Sequence, residues 1–260
     1  MTWLAAVDYR QGTRHRAHQM PCHDFGTVAK PTRECVVGAV AEGAARGRLS
    51  HIGAQIAART AADALDALTR TGTSPDEDDL RRVLRRVRLV LVREAAERNC
   101  DLSELATTLI AFALIPDRIA AIQVGDGFLV AASPARPYHS ICGTGQTSFV
   151  TDDEAEDTVA IALDEGPVSF VAAGTDGLRS LSVRSEDGRP HSSFLRPLNR
   201  YISTAESDDE IHLGIREFLR SDRLAERVED DMALMLCGWR GDPAWDTPAW
   251  ENRAGENRAG

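Results

Sequence analysis

The sequence predicts an α+β domain built on antiparallel sheet that is covered on both faces. Three observations carry this reading. Apolar runs at 107–114, 119–124 and 128–132 are separated by Ile115-Pro116-Asp117-Arg118 and by Gly125-Asp126-Gly127, a succession that reads as an antiparallel meander. These runs are apolar at successive positions rather than alternating, so both faces of the sheet should be buried. Two long stretches, 51–70 and 75–99, repeat apolar residues at helical spacing.

Composition narrows the function. At 260 residues and a formal net charge of −10, the chain can bury a sizeable core, and its charge argues against nucleic acid or anionic membrane as a principal partner. The opening segment, MTWLAAVDYRQGTRHRAH, has no apolar centre long enough for a secretion signal. No later run approaches the about 18 apolar residues of a spanning helix. Cys22, Cys35, Cys100, Cys142 and Cys237 show no CxxC spacing, which fits reduced thiols in a cytoplasmic setting.

Residues 3–7 read as a first strand. A basic segment, Gly12 to His18, follows, with His15 and His18 expected at the surface, and then Pro21-Cys22-His23-Asp24. Residues 35–41 form the next strand. Ser50 is placed to cap a helix over 51–70, with Ile52, Ile56, Ala61, Leu65 and Leu68 inward. Ser74-Pro75-Asp76-Glu77 has the capping-box pattern with proline at the first helical position. It opens a helix to about Asn99 with Leu80, Val83, Leu84, Val87, Val90 and Leu91 inward. Arg81, Arg82, Arg85, Arg86 and Arg88 are expected to form a solvated face paired with acids, not a nucleic-acid surface. After the meander come a polar loop over 136–156, strands near 159–162 and 168–173, and a polar, proline-containing stretch, 182–203, expected to pass over the site. Ser207-Asp208-Asp209-Glu210 caps a helix to about Arg220, and 232–239 is the last strand. Residues 1–240 thus make one domain, and 241–260, with its ENRAG-ENRAG doublet, is expected to be a disordered tail.

Acids recur where these strands stop or start. Glu42-Gly43 follows the run 35–41, Asp126-Gly127 follows 119–124, Asp176-Gly177 follows 169–175, and Glu229-Asp230-Asp231 precedes 232–237. In an antiparallel sheet the end of one strand and the start of its neighbour share an edge, so these carboxylates can gather at one rim. The glycines let the backbone approach a ligand. Gathered carboxylates repel, and a divalent cation relieves the repulsion. Any one Asp-Gly or Glu-Gly pair is an ordinary turn; the recurrence is what points to a site. The chain has no GxSxG, no Cys/His pairs at zinc-site spacing, and no nucleotide-loop context around Gly143-Thr144-Gly145.

Cys22-His23-Asp24, VVGAVAEGAARG at 36–47 followed by SHIGAQIAARTAADAL, LATTL with IQVGDG, FVAAGTDGL and EDDMALML occur in one particular order. That order is the one found in metal-dependent protein phosphatases of type 2C, and the chain resembles the compact bacterial branch of that family over roughly residues 1–240. The resemblance implies a four-layer α-β-β-α sandwich, two antiparallel sheets face to face and flanked by helices. It implies a serine/threonine phosphatase in which a water bridging two Mn²⁺ or Mg²⁺ ions hydrolyses phosphomonoesters, with a third, weaker metal site. The implied partners are phosphoserine and phosphothreonine proteins and a kinase. By position, Glu42 stands where an aspartate bridges both metals, with the Gly43 carbonyl as a further ligand. Asp176 and Asp230 match the aspartates of the first metal, Asp24 an acid beside the second, and Asp126 a ligand of the third. Arg16 matches the arginine that grips the phosphate. Hard ions suit this oxygen-only set, and a forked guanidinium suits a phosphoryl group. Glu42 in place of aspartate, and His23 within the first acidic motif, leave two other readings open. One is a catalytically weakened phosphatase-like module that binds phosphoproteins or a kinase; the other is a metal-dependent hydrolase of small phosphate esters.

Overall fold

The computed structural model describes residues 2–115, 117–142, 148–184 and 186–240, so Pro116, Gly143-Thr144-Gly145 and the C-terminal doublet lie outside the described residues. In chain order come β1 (Thr2–Arg10), α1 (Thr13–Ala17), β2 (Asp24–Thr32), β3 (Cys35–Glu42), α2 (Ser50–Arg70) and α3 (Glu77–Arg98). Next are β4 (Leu109–Ile115), β5 (Arg118–Val124), β6 (Phe128–Ala132), β7 (His139–Ser140), α4 (Ala155–Thr158), β8 (Ala160–Glu165) and β9 (Phe170–Gly174). Last come α5 (Arg179–Ser182), α6 (Ser192–Thr204), α7 (Asp208–Leu219), α8 (Asp222–Ala225) and β10 (Met232–Arg240). Pairing is antiparallel throughout and gives two five-stranded sheets, ordered β1-β10-β9-β6-β7 and β2-β3-β4-β5-β8.

The doubly apolar runs follow from this stacking. On β4, Leu109, Ala111 and Ala113 pack with α2 and α3, while Ile110, Phe112 and Leu114 pack between the sheets. On β10, Ala233, Met235 and Cys237 face between the sheets. Leu234 and Leu236 on the same strand pack with Leu195 and Ile202 of α6 and Ile211 and Ile215 of α7. Three apolar interfaces between four layers make the α-β-β-α sandwich. Each fully buried Leu, Ile or Phe contributes about 1.5–3 kcal/mol, so a chain of this pattern has its stability in these interfaces.

Several local expectations need correction. The meander stops after two strands: β4 and β5 form a hairpin, but β6 pairs with β9 in the other sheet. Gly125-Asp126-Gly127 is therefore a crossover between sheets, made possible by Gly125 at φ +97, a conformation open to glycine and strained for other residues. Sequence reasoning also misses β2, whose Gly26, Lys30 and Pro31 break the apolar pattern; an edge strand accepts lysine and proline, and at Gly26 a Cβ would lie 2.4 Å from the Val7 side chain.

The helices differ in detail. α2 begins at Ser50, with Leu49 at the cap position and Ser50 Oγ donating back to Gly47 O (2.8 Å). Its buried face centres on Ala54, Ala57, Ala58, Ala61 and Leu65, with Ile52, Ile56 and Leu68 at the margins. α3 is capped by Asp76, not Ser74: Asp79 N donates to Asp76 Oδ1 (2.8 Å) and Asp76 N to Asp79 Oδ2 (3.1 Å), leaving Pro75 outside the helix. Val90 is only partly buried. Arg81, Arg82, Arg85 and Arg88 do pair with Glu77, Asp79, Glu156 and Asp153. From the 182–203 stretch, α6 buries Leu195 and Ile202 against the outer face of its sheet, so it is a layer of the sandwich and not a cover over the acids. No helix among the described residues is long and apolar enough to cross a membrane.

Candidate metal centre

Strand pairing sets the first two acids side by side: Asp24, the first residue of β2, lies opposite Glu42, the last of β3. The threonines of LATTL lock the Glu42 backbone. Thr107 Oγ1 and Thr108 N both donate to Glu42 O (2.8 Å each), and Glu42 N donates to Thr108 Oγ1 (3.1 Å). Asp126 arrives on the crossover between sheets, which Gln123 braces from inside by donating from Nε2 to Gly125 O (3.1 Å) and Gly127 O (2.9 Å). Asp176 opens a short helical turn after β9. The next residue, Gly177, is pressed against the backbone before β10, where a Cβ would come within 2.1 Å of Asp231 O. Acids from both sheets thus reach one rim.

Glu42, Asp126 and Asp176 bring carboxylate oxygens within 4.8 Å of one another, and no other such group of three occurs among the described residues. Burial, followed by the charges of Asp24 and Asp176, pushes the Glu42 carboxyl up to about 11. Burial also raises Asp176, partly offset by its hydrogen bond with Glu42. Asp24 is held well above the carboxylate range by burial first, even though Thr175 Oγ1 donates to its Oδ2. Glu42 Oε2 is buried without a hydrogen-bond partner. An orphaned carboxyl oxygen among acids that cannot all ionise together fits divalent cations, and an all-oxygen donor set fits hard ones.

Arginines stand at the rim. Arg14 Nη2 pairs with Asp230 Oδ2 at 2.7 Å, and the Asp230 charge raises both Asp24 and Asp176, which puts it beside them. Arg179 Nη1 lies 3.8 Å from Asp126 Oδ2. Arg16 Nη2 donates to Gln11 O (3.3 Å), and its charge is felt by Arg10. Gly43 donates from N to His23 O (3.0 Å) and bridges to Thr107. His15 is 5% exposed and His23 3%, so His15 is a core residue and not the surface residue expected.

Sequence reasoning did not single out Arg14, Thr107, Thr108, Gln123 or Thr175, and it named Asp231 only within the acidic run 229–231. Three of these carried a signal: Gln123 is a lone amide inside an apolar strand, and Thr107 and Thr108 open another apolar run, and buried polar groups in such places need partners.

A family model described as Protein phosphatase 2C matches residues 11–220. Serine/threonine-protein phosphatase 3 of Escherichia coli (strain K12) is 26% identical over 251 residues, covering 92% of this chain and 99% of that protein. The fold is similar to serine/threonine phosphatase Stp1 from Staphylococcus aureus, with a TM-score of 0.62 at 12% identity, covering 93% of this chain and 96% of that one. It is also similar to PppA of Pseudomonas aeruginosa, with a TM-score of 0.60 at 16% identity, covering 92% and 98%. Matched over most of its length by the family model, the chain belongs to the protein phosphatase 2C family and is a metal-dependent protein phosphatase.

Proposed function

We propose that this chain removes phosphate from phosphoserine and phosphothreonine in proteins, using Mn²⁺ or Mg²⁺ held by Glu42, Asp176, Asp230 and Asp24, with the Gly43 carbonyl and Asp126 as further ligands. The observation that carries the reading is the buried, unpartnered Glu42 Oε2 within the Glu42–Asp126–Asp176 cluster. When bound, such cations lower the pKa of water and neutralise charge on a phosphoryl group, so no serine or cysteine nucleophile is needed. The chain's own residues supply the rest. Asp230 orients Arg14 across the rim and leaves other guanidinium donors free for phosphoryl oxygens. That makes Arg14 a better placed phosphate grip than Arg16, whose guanidinium is directed to Gln11 O. Thr107 and Thr108 hold Glu42, Thr175 holds Asp24, and Gln123 holds the Asp126 crossover, so the acids are set before any ligand arrives.

Glu42 reaches Asp126 and Asp176 despite its extra methylene, which favours an active enzyme over a weakened binding module. The natural counterpart of the reaction is a kinase that places the phosphate. The test is phosphate release from matched phosphothreonine and phosphotyrosine peptides with Mn²⁺ or Mg²⁺ present. Selective release from the phosphothreonine peptide supports the reading; release from neither, by folded and metal-loaded protein, refutes it.

A further inference from the structure

The short helix α1 carries Arg14 yet has little to hold it. Its single buried side chain is His15, so it has no apolar face to dock. Its attachment is polar and converges on Asp231, which is 2% exposed. Gly12 N donates to Asp231 Oδ1 (2.6 Å), and His15 Nδ1 and His23 N both meet Asp231 Oδ2 (2.7 and 2.5 Å). A carboxylate only accepts, so His15 Nδ1 carries the hydrogen. Two further contacts press the helix down. Arg14 N donates to Glu229 O (3.1 Å), and a Cβ on Gly12 would lie 2.3 Å from Glu229 O. The His15 ring also lies against that of His23, centroids 4.4 Å apart.

The three donors to Asp231 come from segments with separate tasks. Gly12 and His15 flank Arg14, His23 precedes Asp24, and Asp231 itself follows Asp230. A buried carboxylate that loses one of its donors is left with an unsatisfied oxygen, so the arrangement resists opening. We infer that the buried His15–Asp231 pair is a positioning device: it aims the Arg14 guanidinium at the phosphoryl group of the substrate without touching substrate itself. This rests on the reading that Arg14 holds the phosphoryl group.

The test uses the full Mn²⁺-loaded chain and compares His15→Ala, His15→Asn, Arg14→Ala and the His15→Ala/Arg14→Ala double variant. His15→Ala is expected to raise both KM for a phosphothreonine peptide and the inhibition constant of inorganic phosphate on the order of tenfold, the worth of one charge-assisted hydrogen bond, with kcat changed far less. Hydrogen exchange across 12–18 should speed up. His15→Asn, whose amide nitrogen reaches close to where the ring Nδ1 sits, should recover most of the loss. The double variant should be no weaker than Arg14→Ala alone, because both changes act through one group. If His15→Ala does not fold, Asp231→Asn carries the same comparison. Additive losses, a fall in kcat at unchanged KM, or failure of His15→Asn to rescue in folded protein would each overturn the inference. If Arg14→Ala leaves KM and phosphate inhibition unchanged, the assignment of Arg14 itself falls and the inference with it. A response to Arg14→Ala without one to His15→Ala sinks the inference alone.

Discussion

Replacing Glu42 by glutamine should stabilise the metal-free protein while removing its hold on cations. In the folded chain, burial beside Asp24, Asp176 and Asp126 moves this carboxyl from its usual 4.5 up to about 11. Between those values the folded state keeps a proton that the unfolded chain releases. Stability fully present below about 4.5 is therefore lost progressively as pH rises towards about 11. At about 1.36 kcal/mol per pH unit, the span from 4.5 to pH 7 is worth roughly 3 kcal/mol against the wild type. Glutamine keeps the shape, is neutral in both states, and can still donate to Asp176. With about 2–4 °C of Tm per kcal/mol in a chain of this size, Glu42→Gln in chelator at pH 7 should melt about 6–12 °C higher than wild type. At pH 5 the advantage should shrink to about 3 °C or less, because unfolded Glu42 is then largely protonated too. Mn²⁺ at about 100 times its Kd should give the wild type about 2.7 kcal/mol and the variant little, narrowing or reversing the order. Thermal melts at both pH values, with chelator and with Mn²⁺, decide it. A Glu42→Gln protein that melts at or below wild type at pH 7 in chelator would refute the claim that these acids are held together against their charge.

Asp176→Asn should abolish nearly all turnover at any Mn²⁺ concentration, whereas Asp126→Asn should cost little at saturating metal and more at limiting metal; metal titrations of initial rate separate them, and wild-type turnover by Asp176→Asn would contradict the assignment. Gln123→Leu leaves the Gly125 and Gly127 carbonyls without their donor, so urea unfolding should show a loss of about 1–3 kcal/mol and the Mn²⁺ needed for half-maximal rate should rise. Ala57→Leu puts extra methylenes where α2 meets its sheet, and a loss of about 1–3 kcal/mol in the same assay is expected with kcat unchanged.

Strands and long helices were legible because their apolar spacing is a direct record of burial. β4 and β10 read as apolar on both faces because each really does face two interfaces. The destination of a strand was not legible: Gly125-Asp126-Gly127 looks like any hairpin turn, and only the long-range pairing of β6 with β9 makes it a crossover. The acids Glu42, Asp126 and Asp176 could be named because each stops an apolar run, and strand ends of paired strands share an edge. Arg14 could not be told from Arg16, since both lie in one polar segment and their directions depend on how α1 sits on Asp230 and Asp231. His15 likewise reads as a surface residue among basic neighbours, and its burial depends on contacts the local sequence does not show, with the His23 ring and with Asp231, more than two hundred positions away.

Dependence of turnover on free divalent cation is the most direct test of the metal centre. Phosphate release from a phosphothreonine peptide should be absent in chelator, rise saturably with free Mn²⁺, and return after chelation when the metal is restored. Full turnover after exhaustive removal of metal would contradict it, because the acids at 42, 126 and 176 would then have no catalytic reason to be together.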